Sequence, residues 1–156
     1  MKSTRTLMVA AYLVAAMLVV VPCSEVVLAS LPLRPASVTW RFAMGGNFSR
    51  ALMTPLFGLL LASAVAYAGT QRRALRWLSV LSGALGGLVL VVAWRFLLDS
   101  ATMRAGATPD ARDPLTITAV PVLAKLLFSA VVAGFLTAAD WRLSTAPPGA
   151  PIPPRV

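Results

Sequence analysis

The chain has 156 residues, 58% of them hydrophobic and 12% charged, with a formal net charge of +9. An ordinary soluble domain is about 45–50% apolar and about 25% charged, so this composition excludes a water-soluble fold around one buried core. In a soluble protein the basic balance would point to a polyanion, but basic residues at membrane-helix ends meet lipid phosphates instead, and nucleic acid is not an expected partner.

Four apolar runs, about 6–29, 48–69, 75–98 and 115–139, each have about 20 or more residues, enough to cross roughly 30 Å of hydrocarbon at about 1.5 Å per residue. Backbone amides cannot stay unpaired in lipid, and no period-2 alternation marks a barrel. The expected fold is therefore all-α: an integral membrane four-helix bundle with antiparallel up-down topology, forming a single domain over 1–145.

The first run follows Lys2 and Arg5 and ends in "VLA" before Ser30. It reads as a retained helix, because its apolar stretch is longer than a usual signal core. The competing reading is a secretory signal cleaved after Ala29, which would leave three spans. Cys23 follows a proline that spoils a lipoprotein-type site, and a lone cysteine here reads as a small apolar filler. The segment over about 31–47 is expected to lie on the outer surface, with Trp40, Phe42 and Phe48 in the headgroup layer and Arg34, Arg41 and Arg50 on phosphates. Gly45 and Gly46 would permit the bend into the second span, and Pro55 should kink that span.

Between the second and third runs, "QRRALRW" makes a tight basic turn. Seven basic residues (Lys2, Arg5, Arg72, Arg73, Arg76, Arg142 and Arg155) fall on its side of the bilayer, against five (Arg34, Arg41, Arg50, Arg104 and Arg112) opposite. The positive-inside rule then places both termini in the cytoplasm. Tyr67, Trp77 and Trp141 would anchor the inner interface; Trp40 and Trp94, with Arg41, would anchor the outer one. Small residues four apart mark helix-packing stripes: Gly58, Ala62 and Ala66 on the second span, Ser79, Gly83 and Gly87 on the third, Ala130, Gly134 and Ala138 on the fourth. One stripe, the glycine-rich third, is a possible docking face for another subunit. The tail over 146–156, "APPGAPIPPRV", is too proline-rich to fold and is expected to be a disordered cytoplasmic end.

Three charges interrupt the oil. Lys125 lies roughly 22 Å above the inner boundary, Glu25 roughly 30 Å and Arg95 roughly 28 Å, taking about 1.5 Å per residue. Side chains lean toward their own helix N-terminus, so Lys125 leans outward while Glu25 and Arg95 lean inward, toward one layer. If the first and last spans are neighbours, Glu25 and Lys125 pair and Arg95 shares the carboxylate. Lys125 could instead snorkel to the outer headgroups, or the layer could line a cavity in which one member titrates or binds a substrate. Asp140, followed by Trp141 and Arg142, reads as a boundary residue.

The chain has no histidine and one cysteine. Bis-histidine haem, histidine-ligated zinc or iron, a Ser-His protease and dithiol chemistry all lose their central residue. Gly83, Gly86 and Gly87 lack the strand-helix context of a phosphate loop. No catalytic, cofactor-binding or metal site is expected, and the chain reads as a non-enzyme. "PASVTWRF", "RALMTPLFGLLLA" and "WRFLLDS" resemble segments of small four-span bacterial inner-membrane proteins of an uncharacterised family; that resemblance implies the fold and no activity. Four short spans with a glutamate on the first also resemble small multidrug-resistance transporters, whose essential glutamate sits well inside its helix. Glu25 lies near the outer end, after Pro22, so that role is not carried over. Two functions remain: an accessory or structural subunit acting by helix–helix association, with a membrane-protein partner or as a homo-oligomer, and a small oligomeric transporter or channel using the Glu25, Arg95 and Lys125 layer.

Overall fold

The computed structural model describes residues 2–145, with side chains from residue 5 onward. The proline-rich tail expected over 146–156 lies outside the described residues. Five helices follow in order: α1 (Lys2–Ala29), α2 (Val38–Ala51), α3 (Met53–Ala68), α4 (Arg72–Gly106) and α5 (Pro109–Thr145). Together α2 and α3 make one span, and with α1, α4 and α5 they give four segments long and apolar enough to cross a membrane.

The span expected over 48–69 begins ten residues earlier than the hydropathy suggests. Ser37 caps it, its Oγ accepting the Trp40 N–H at 3.3 Å, which satisfies one of the orphan donors of the first turn. The surface segment predicted over 31–47 is thus largely helix, and Gly45 and Gly46 lie inside it. Gly45 is buried because α2 crosses α4 there: a Cβ at this position would overlap the Phe96 ring. Phe42 stacks on the same ring with centroids 4.9 Å apart. The break falls instead at Leu52. Pro55 has no N–H to return to the Ala51 carbonyl and its ring crowds that carbonyl, yet Leu52 keeps helical angles of φ −62° and ψ −32°.

The α3–α4 turn closes with a Schellman arrangement. The Gln71 N–H donates to the Ala66 carbonyl at 2.8 Å and the Thr70 N–H to Tyr67 at 3.0 Å. Thr70 takes the left-handed position with φ 52°, which a β-branched residue adopts only under strain.

Helices α4 and α5, joined by two residues, form a hairpin that is the most extensive packing in the molecule. Its facing residues run in opposite senses: Ser79 with Thr137, Gly86 with Ala133 and, in the lining of one cleft, Phe96 with Ala119 and Arg104 with Arg112. The buried positions of α4 are Leu75, Ser79, Ser82, Gly86, Val89, Ala93, Phe96 and Asp99; those of α5 include Leu126, Ser129, Ala133, Leu136 and Asp140. From Leu75 to Phe96 and from Leu126 to Asp140 spacings of three and four alternate, the 3.5-residue period of a left-handed coiled-coil seam. Small side chains on that seam bring the backbones together where lipid supplies no hydrophobic drive.

This period corrects the i, i+4 stripes. Ser79 and Gly83 stay at the interface, Ser79 Oγ donating to the Thr137 carbonyl at 2.9 Å. Gly87 and Gly134 turn outward, and a Cβ on either would meet nothing within 4 Å. Their neighbours Gly86 and Ala133 hold the contact, because a strict four-residue stripe drifts off a 3.5-residue seam. On α3, Gly58 does mark a close approach: its Cβ would lie 2.8 Å from the Ala15 carbonyl oxygen and 2.9 Å from Val19 Cγ2. Ala62 and Ala66 are buried on the same helix.

Helix α1 is peripheral. It packs on α3 and α2, with no pair of Cα atoms within 8 Å of α4 or α5 among the described residues. The neighbourhood of first and last spans that the sequence suggested is therefore not formed. Tyr12 reaches the far turn, its hydroxyl donating to Gln71 Oε1 at 2.8 Å. Cys23 is exposed on this helix and fills no core.

Candidate functional site

Two carboxylates absent from the sequence-level candidates are the most buried charged groups. Asp99 is 7% exposed and Asp140 2%; Asp140 falls on the seam four residues beyond Leu136, while Asp99, three beyond Phe96, sits at the seam's edge and turns toward α2. Arg41 grips Asp99 with Nε at 3.1 and 3.0 Å from the two carboxylate oxygens and Nη2 at 2.8 Å from Oδ1. Its Nη1 donates to the Pro35 carbonyl at 2.6 Å. A planar fork on a carboxylate is the strong form of ion pair. Here it ties the first turn of α2 and the chain before it to α4, so Arg41 is a clamp within the protein, where the sequence placed it on lipid phosphate.

Asp140 sits at the opposite end of α5. Ser63 Oγ donates to its Oδ2 at 2.8 Å, joining α3 to α5. Far from being a boundary residue facing water, it is a buried acceptor. The signal that would have found Asp140 is its register with the small and apolar seam positions, not its distance from a helix end; Asp99 is buried by Arg41 of α2, a contact that the α4 pattern alone does not mark.

Glu25, Arg95 and Lys125 are exposed, and the structure does not bring them together as a network. The ion pair found among the described residues is Arg41–Asp99. Neighbouring helices nevertheless fix their heights. Gly58 lies beside Leu18, and Thr54 shares a groove with Val21 and Pro22, which brings Arg50 near the level of Glu25. Gly45 and Phe42 meet Phe96, setting Arg50 about five residues below that ring. Gly86 lies against Ala133, which makes Lys125 nearly level with Arg95. At about 1.5 Å per residue the four charges Glu25, Arg50, Arg95 and Lys125 fall within roughly 6 Å of one height. Three are basic, one is acidic, and all are exposed on different helices. Arg50, assigned by sequence to the outer surface, belongs to this tier because α2 starts at Val38.

Tyr67, Trp77, Trp94 and Trp141 are exposed, Trp77 at 75%, whereas Trp40 is half-buried near the start of α2. Beyond the tier, at the end carrying the α4–α5 turn, a cleft of about 570 Å3 opens between the two helices.

Four long apolar segments in an all-helical bundle define a class, the helical multi-pass membrane proteins. No protein-family model, curated protein or solved structure matches the chain.

Proposed function

We propose that this chain is a small, non-enzymatic subunit of a bacterial inner membrane that works by helix–helix association, with both termini in the cytoplasm. The observation that carries the reading is the tier of Glu25, Arg50, Arg95 and Lys125: charges near one height, exposed, with no ion-pair partner among the described residues. A charge at the centre of a membrane helix costs about 2.5–3.5 kcal/mol on insertion scales, and less toward the outer rim where this tier lies. A neighbouring chain in the same orientation presents its own side chains at matching heights, so an opposite charge there removes that cost and selects the partner. A second copy supplies Glu25 against Arg50 or Lys125; a different subunit supplies its own carboxylate. The two buried carboxylates are partnered internally, Asp99 by Arg41 and Asp140 by Ser63, which supports a structural role for them over a lining role in a pathway, although the buried Ser82 and Ser129 hydroxyls meet no partner among the described residues. The orientation follows the basic turn at Arg72, Arg73 and Arg76.

The test is the mass of the complex extracted in nanodiscs without detergent exchange. Assemblies of two or more chains are expected, shifting toward single chains for Glu25→Gln and Lys125→Met while helical content is retained. A parental protein found only as a single chain refutes the reading. Substrate flux in proteoliposomes that is lost in both variants supports the transporter instead.

A further inference from the structure

The cleft between α4 and α5 is graded in polarity. Its floor is apolar, formed by Phe96, Ala119 and Leu123, and its mouth carries Arg104 and Arg112. Leu123 and Arg112 are separated by about 16 Å along α5 at about 1.5 Å per residue, and a volume of about 570 Å3 lies inside the roughly 300–1,000 Å3 range of ligand sites. The opening has a local cause. Past Phe96 the next buried residue is Asp99, which turns to Arg41, and the following positions, Ser100 and Ala101, are too small to fill the gap to Thr116 and Ala119.

Among the described residues neither arginine has a carboxylate partner. Arg112 Nε donates only to the Ala107 carbonyl at 3.3 Å, and Asp110 and Asp113 on the same turn are exposed and form no salt bridge with either guanidinium. Arg104 and Arg112 thus line, from the two helices, a slot whose other walls are largely apolar. We propose that this cleft binds one anionic phospholipid, its acyl chain lying against Phe96, Ala119 and Leu123 and its phosphate held between Arg104 and Arg112. Charge complementarity selects the occupant: an apolar helix leaves the arginines unpaired, and a free phosphate leaves the floor uncovered. Arginine forks suit phosphate oxygens, and each basic group near a membrane surface adds about tenfold or less to anionic-lipid affinity. This site is independent of the charge tier and of the association proposed from it.

The experiment is native mass spectrometry of the full chain released from detergent with added phosphatidylglycerol, phosphatidylcholine or inorganic phosphate. A retained phosphatidylglycerol adduct is expected, favoured over phosphatidylcholine by about tenfold or more for the two arginines together, with no phosphate adduct. The double variant Arg104→Gln/Arg112→Gln, which alters only exposed side chains, should bring phosphatidylglycerol down to the phosphatidylcholine level. Ala119→Trp should fill the floor and remove both lipids. Equal retention of the two lipids, an unchanged adduct in the double variant, or inorganic phosphate retained as firmly as the lipid would each overturn the assignment. So would a bound polypeptide that excludes phosphatidylglycerol.

Discussion

Separating Arg41 from Asp99 should cost more when the arginine goes than when the aspartate does. The pair is made of three short nitrogen–oxygen contacts, with the arginine side chain 33% exposed and the aspartate 10%. Arg41→Met strands a carboxylate that is nine-tenths out of solvent. Breaking a fully buried pair costs about 3–5 kcal/mol; solvent reaching the arginine side lowers the expectation to about 2–4 kcal/mol. Asp99→Leu leaves a guanidinium that keeps its bond to the Pro35 carbonyl and can turn outward, for a loss of about 1–2 kcal/mol. The double variant leaves no orphaned charge, so the coupling between the two sites should be about 1–3 kcal/mol. Reversible unfolding of the four proteins by SDS in mixed micelles, followed by circular dichroism, measures all three quantities. Raising the salt should change the coupling little, because a desolvated pair is weakly screened. Additivity to within about 0.5 kcal/mol would refute the clamp.

Three further outcomes can be read in the same assay. Thr70→Gly should stabilise by about 1 kcal/mol, because glycine adopts the left-handed angle at φ 52° without penalty; a loss of stability contradicts the Schellman description. Gly58→Ala should destabilise by about 1–3 kcal/mol through its overlap with the Ala15 carbonyl, whereas Gly87→Ala and Gly134→Ala should be neutral or gain up to about 1 kcal/mol from helix propensity. A loss at Gly87 or Gly134 as large as that at Gly58 sinks the 3.5-residue seam. Ser63→Ala should cost about 1–3 kcal/mol by removing the donor from buried Asp140, and the cost should vanish in an Asp140→Leu background.

What the sequence made legible follows from what hydropathy measures. Four apolar runs located the four spans because a bilayer imposes a length that composition must satisfy. The same measure cut every helix short. It ended the third span at Leu98, while α4 continues through Asp99 and Arg104 to Gly106, and it began the fourth at Leu115 though α5 starts at Pro109. Helices of 35 and 37 residues are about 50–55 Å long, so their ends pass beyond the hydrocarbon and carry charge there. Gly45 and Gly46 misled for a different reason: paired glycines mark a turn in a soluble chain, whereas in a membrane helix a glycine also marks where a neighbour comes close, here Phe96. Asp99 and Asp140 were illegible because isolated charges near span ends are ordinary; a seam period singles out Asp140 alone, and Asp99 shows only through its pairing with Arg41 on α2. The contact order of α1 with α3 instead of α5 lies in packing, which no count of apolar residues encodes.

The peripheral place of α1 makes the molecule divisible. One side of it rests on α3 near Gly58 and one tyrosine hydroxyl tethers it to Gln71, while the α4–α5 hairpin and the Arg41–Asp99 clamp are built without it. During synthesis the first helix can therefore enter the bilayer and wait, its mate arriving only when α3 emerges, and the later hairpin can mature on its own contacts. In the finished protein the same helix is held through α3 and α2 alone, which sets a wall beside a self-sufficient body.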